Sequence, residues 1–159
     1  MIVFANCRTR LAVFGDDKLT LWEKGELIVY ECYEDFTDAR FVGLDDEQIL
    51  IIPRSGFGLK IIDLKGQVIK ERKYPFWPKS VAVSKNGAQI AVGSTEGGVY
   101  LLDAELNVID SMMSHQDPVS SLRFSRDMKY LASGDYGGIA KVWDMEGSLL
   151  ANQEGGHEG

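Results

Sequence analysis

The sequence predicts an all-β chain assembled from four consecutive copies of one four-stranded unit. Four segments end alike: KLTLWE at 18–23, LKIID at 59–63, VYLLD at 99–103 and AKVWD at 140–144. Their acidic ends, Glu23, Asp63, Asp103 and Asp144, lie 40, 40 and 41 residues apart. Between these ends, short apolar or alternating runs are broken by SKNG, SRDM, TEGG and DYGG. Gly, Asn, Asp and Ser favour tight turns in such positions. No stretch sustains a helical period.

A repeat of about 40 to 45 residues is the length of one β-propeller blade. Blades are expected over 1–33, 34–74, 75–113 and 114–155, forming a single propeller domain, with strand groups near 2–33, 38–74, 79–113 and 118–154. Residues 80–103 lie over 121–144 without a gap, so Val83 matches Phe124, Ser84 matches Ser125, Asn86 matches Asp127 and Ile90 matches Leu131. The third strand of each blade is the most apolar, which suits a strand covered on both faces.

Composition narrows the function classes. The 159 residues suffice for a core, and 45% hydrophobic with 26% charged residues is an ordinary globular balance. Apolar runs such as 49–53 and 99–102 are strand-sized, far short of the ~20 residues of a membrane span, and the first residues lack a secretory pattern. A cytoplasmic chain with no membrane partner is expected. Cys7 and Cys32, without a CxxC or a neighbouring histidine, read as free thiols. A net charge of −7 argues against nucleic acid. The local basic run Lys60, Lys65, Lys70, Arg72, Lys73, Lys79 and Lys85 reads as a solvated strand edge.

At SHQDPVSSLRFSRDMKYLASGDYGGIAKVWD, residues 114–144, the chain resembles the WD-repeat (WD40) family. The resemblance implies a hydrogen-bond network of histidine, serine, aspartate and tryptophan, which falls by position on His115, Ser133, Gly137 and Trp143. Gly137 stands where the aspartate belongs, so the network is expected to be partial at most, with Asp135 two residues away. The third repeat has Val92, Glu96 and Leu102 at the serine, aspartate and tryptophan positions, so apolar packing is expected to hold it. The first retains Trp22, with Asp16 at its turn. Within the family, residues 74–103 are similar to a blade of the actin-interacting protein 1 family, which implies actin or a cytoskeletal complex as a partner.

Catalytic and metal chemistry finds little footing. Ser114, His115 and Asp117 suggest a hydrolase triad, but such close neighbours rarely reach the required geometry. GGHEG at 155–159 holds one of two histidines, too few for a zinc site. Gly56-Phe57-Gly58 and Gly97-Gly98 lie between strands and open no helix, so neither cradles a phosphate. No cofactor is expected.

The segment that the repeat does not demand is Tyr74-Pro75-Phe76-Trp77-Pro78, between the second and third blades. Arg54 and Phe57, from the turn of the preceding blade, are expected on the same face. Aromatic and Arg clusters on rigid surfaces are typical binding hot spots. The expected function is a non-catalytic scaffold for protein partners. GGHEG resembles the opening of a fifth repeat, which raises missing additional blades or a homodimer completing an eight-bladed ring.

Overall fold

The computed structural model describes residues 2–4, 10–15, 18–23, 25–31, 36–42, 47–54, 56–113 and 115–154. Cys7, Asp16, Cys32, Ser114 and 155–159 lie outside the described residues. The strands are β1 (Ile2–Phe4), β2 (Arg10–Gly15), β3 (Lys18–Glu23), β4 (Glu26–Glu31), β5 (Phe36–Val42), β6 (Gln48–Pro53), β7 (Gly58–Asp63) and β8 (Val68–Lys73). They continue with β9 (Pro78–Val83), β10 (Gln89–Ser94), β11 (Gly98–Asp103), β12 (Val108–Met113), β13 (Val119–Phe124), β14 (Tyr130–Asp135), β15 (Ile139–Asp144) and β16 (Leu149–Glu154). Among the described residues these form four four-stranded antiparallel sheets, each a meander in chain order.

The chain divides into two compact units, Met1–Tyr74 and Pro75–Gly159. In the first, Ala12, Leu19 and Leu21 of one sheet pack with Ala39, Phe41, Ile49, Ile51 and Ile62 of the next. In the second, Ala82, Ala91, Val99, Leu101 and Met112 pack against Val119, Leu122, Leu131 and Trp143. In the second and third blades the most completely buried strand is the second and not the third. Ile49 to Pro53 of β6 and Ile90 to Ser94 of β10 are buried without a break, whereas β7 and β11 expose part of Lys60 and Tyr100. β6 and β10 carry no long polar side chain beyond their first residue, so both faces can be covered.

The acidic repeat ends build the hairpin between the third and fourth strands. Asp63 Oδ1 accepts from the N–H groups of Lys65 and Gln67, both at 2.8 Å. Asp144 Oδ1 does the same for Glu146 and Ser148 at 3.0 and 2.7 Å, and Asp103 Oδ1 accepts from Asn107 N–H at 2.8 Å. Each turn ends on a residue with positive φ: Gly66, Leu106 and Gly147. The carboxylate thus replaces water for backbone donors that a tight turn leaves unpaired.

The serine turns between the first and second strands follow one plan in the third and fourth blades. Ser84 donates to Asn86 Oδ1 and Ser125 to Asp127 Oδ1, at 2.8 and 2.7 Å. Gly87 has φ +69° in one, and Met128 occupies the matching place at φ +62° in the other. A left-handed non-glycine residue costs about 1–2 kcal/mol. Met128→Gly is expected to raise stability by about 1 kcal/mol, read as a higher urea midpoint with an unchanged slope.

β-Bulges recur at two places. In the fourth strands the extra residues are Ile69, Ile109 and Leu150, so the adjacent pairs 68/69, 108/109 and 149/150 are all exposed. A bulge on an edge strand deters pairing with another chain. Lys70, Arg72 and Lys73 on β8 share that edge, whereas Lys60 of the same basic run lies on the interior strand β7. In the first strands the extra residues are Thr37, Lys79 and Ser120.

Candidate interaction face

The loops that end the strands of the second unit are fastened by a closed hydrogen-bond network. His115 Nδ1 lies 2.7 Å from Asp135 Oδ2 and Nε2 lies 2.7 Å from Ser133 Oγ. Trp143 Nε1–H donates to Ser133 Oγ at 2.9 Å, and Ile139 N–H donates to Asp135 Oδ1 at 2.9 Å. One proton arrangement satisfies every member: tryptophan to serine, serine to imidazole, imidazole to carboxylate. The expectation of a partial network is therefore corrected. Asp135 supplies the carboxylate from the end of β14, where it shares a strand face with Ser133, two residues earlier.

Burial opposes ionisation of Asp135, but the Ile139 N–H and then His115 outweigh it and hold its carboxyl below the usual carboxylate range. The order serine, histidine, aspartate is that of a hydrolase triad. Here Ser133 is buried and its oxygen is engaged by both Trp143 and His115. Asp117, which the sequence placed with His115, instead has its carboxylate against Gly137, where an added Cβ would lie 2.5 Å from Oδ2. Among the described residues no group of three His, Cys, Asp or Glu could hold a metal ion.

Trp22 does not repeat the role of Trp143. It is 44% exposed where Trp143 is 3% exposed. The third blade departs from purely apolar packing. Ser80 Oγ donates to Val119 O at 2.8 Å, joining it to the fourth blade, and Ser94 Oγ accepts from Glu96 and Gly98 N–H at 3.3 and 3.0 Å. Ser94, buried two places beyond Val92, was the available signal.

The aromatic linker splits by parity. Phe76, Pro78 and Ser80 point inward and Trp77 and Lys79 outward. Phe76 is 5% exposed and its ring stacks on Tyr100, centroids 3.7 Å apart. Tyr74 is buried as well, and its N–H donates to Phe57 O at 2.6 Å. Trp77 remains 42% exposed, while Arg54 and Phe57 are exposed in the first unit. Trp77 N–H donates to Glu96 Oε2 at 3.4 Å and Trp77 O accepts from Thr95 N–H at 3.0 Å, so the exposed indole sits on an anchored backbone. Tyr136, which the sequence did not single out, is 64% exposed, and Lys79 Nζ lies 5.5 Å from its ring centroid.

Four antiparallel meanders of repeat length, the last with a His-Ser-Trp fastening, follow the blade plan of a β-propeller. Residues 106–144 match the WD40 family model, described as WD domain, G-beta repeat. NET1-associated nuclear protein 1 of Saccharomyces cerevisiae is 34% identical over 67 residues, which cover 42% of this chain and 8% of that protein. WD repeat-containing protein 1 of Gallus gallus is 26% identical over 164 residues, 94% of this chain and 27% of that protein. The chain thus spans well under half the length of these relatives. The crystal structure of the Myceliophteria thermophila Cps50 (Swd1) β-propeller domain superposes with a TM-score of 0.80 at 13% identity, covering 97% of this chain and 57% of that one. At that identity the likeness is one of fold.

Proposed function

We propose that the chain is a non-catalytic protein-interaction module and that the loop face around Trp77 is its contact surface. The observation that carries this reading is the division of labour in 74–78. Tyr74 and Phe76 are spent on the interior, while Trp77 is held outward between two prolines on a hydrogen-bonded backbone. A large amphipathic ring on a backbone that is already fixed leaves less entropy to lose on docking.

The test separates the two aromatics. Trp77→Ala is expected to leave the unfolding transition within about 0.5 kcal/mol of wild type and to reduce partner capture from cell extract at least tenfold. Phe76→Ala, which empties a buried stacked position, is expected to destabilise by about 3 kcal/mol. Full capture by a folded Trp77→Ala protein would end this reading.

Two narrower readings have some support. Similarity to WD repeat-containing protein 1 along 94% of the chain agrees with the resemblance to the actin-interacting protein 1 family, and cosedimentation with filamentous actin tests a cytoskeletal partner. Self-association draws on β14, where Tyr130 and Ala132 are exposed on the face opposite Leu131 and Ser133. A mass by light scattering tests it.

A further inference from the structure

The third and fourth blades build the same pair of groups on this face by different routes. In the third, the ring is Trp77, from the segment before β9, and the carboxylate is Glu96, from the β10–β11 turn, bonded to Trp77 N–H at 3.4 Å. In the fourth, the carboxylate is Asp117, from the segment before β13, and the ring is Tyr136, from the β14–β15 turn. There Tyr136 N–H donates to Pro118 O at 3.1 Å, and Asp117 Oδ2 lies against the adjacent Gly137. His115 N–H donates to Gly97 O at 3.2 Å and so ties the loops of the two blades. The two ring-and-carboxylate pairs thus share one end of the unit.

Lys79 already shows what the Tyr136 ring accepts. It is the extra residue of the β9 bulge, and a bulge re-aims its side chain. Its ammonium is carried over the ring of Tyr136, in the next blade, at 5.5 Å from the centroid. A cation over an exposed aromatic face is attracted by the ring quadrupole. In segments 75–79, 95–97, 116–118 and 136–138 Lys79 is the single Lys or Arg, against Glu96 and Asp117. The chain as a whole carries −7. An acidic ligand would meet net repulsion here, and a cationic one would meet two carboxylates and two rings.

We propose that this face binds an arginine-bearing segment of a partner protein, with guanidinium groups stacked on Trp77 and Tyr136 and paired with Glu96 and Asp117. Arginine suits it better than lysine, because a planar guanidinium stacks on a ring and donates to a carboxylate at once. Lys79 acts as an internal competitor for the Tyr136 ring. The inference rests on the interaction-module reading and specifies the chemistry of the partner.

The probe is a synthetic peptide of alternating arginine and glycine, with a glutamate-glycine peptide of equal length as control, titrated against the whole chain by calorimetry. Binding of the arginine peptide alone is expected. It should weaken about tenfold in Trp77→Ala with Tyr136→Ala, and comparably in Glu96→Gln with Asp117→Asn. Lys79→Met should strengthen it about threefold by vacating the ring, where loss of a merely structural contact would leave affinity unchanged. Each variant is compared at matched near-ultraviolet circular dichroism. Equal binding of both peptides, or an affinity that neither double variant changes, overturns the proposal. Either result leaves partner capture through Trp77 standing, so the two readings fail separately.

Discussion

Asp135→Ala is expected to destabilise the Pro75–Gly159 unit by about 3–5 kcal/mol, the cost of removing one member of a buried charged hydrogen-bonded set. The carboxylate takes His115 Nδ1–H on one oxygen and Ile139 N–H on the other, at 2.7 and 2.9 Å. Its loss leaves both donors buried, and the imidazole loses the partner that fixes its orientation toward Ser133. The effect has a pH signature. The folded pKa of Asp135 is lowered, so the folded state binds fewer protons than the unfolded state as the group titrates. Its contribution is full above the unfolded value of about 3.9 and is lost as pH falls below it. The gap between wild type and Asp135→Ala in urea denaturation should be wide at pH 7 and should narrow below about pH 4. A gap independent of pH would mean that folding does not lower the pKa of this carboxyl.

Gly97→Ala is expected to cost at least about 3 kcal/mol. Gly97 has φ +84°, a left-handed conformation that penalises any Cβ, and the added carbon would collide with the carbonyl oxygen of His115. That neighbour is backbone and cannot swing aside. Relief would require moving the segment that delivers His115 to its network, and the 3.2 Å bond from His115 N–H to Gly97 O would break. Gly56→Ala is the control. Nothing lies within 4 Å of a Cβ built there, so its unfolding midpoint should match wild type. Equal midpoints for both variants would refute the tight approach at Gly97.

The repeat was legible because turn chemistry is local. An aspartate that closes a three-residue turn must sit at a fixed distance from the next one if each blade has the same strands, and Asp63, Asp103 and Asp144 do so. The network was legible only in part, because it depends on the end of a strand and not on a motif position. Ser133 and Asp135 lie two apart on one strand, and the alternation of a strand would have placed them on one face with His115. The same alternation separates Trp77 from Phe76, which composition alone had grouped. Tyr136 was invisible, since an exposed tyrosine in a Gly-rich turn gives no periodic signal. Its interest arises from Lys79, 57 positions earlier in the sequence, reaching its ring. The bulges, which re-aim Lys79 and expose Ile109 and Leu150, depend on strand register, and a sequence does not display register.

Those exposed outer-strand residues offer the competing surface for a protein partner, so the most direct measurement pits the two surfaces against each other. A photo-crosslinking amino acid is placed singly at 77, 136, 109 and 150 in an otherwise unchanged chain, and adducts with the captured partner are quantified after irradiation. The loop-face account predicts strong adducts from 77 and 136 and background levels from 109 and 150. Adducts confined to 109 and 150 would contradict it and move the interaction to the outer strands.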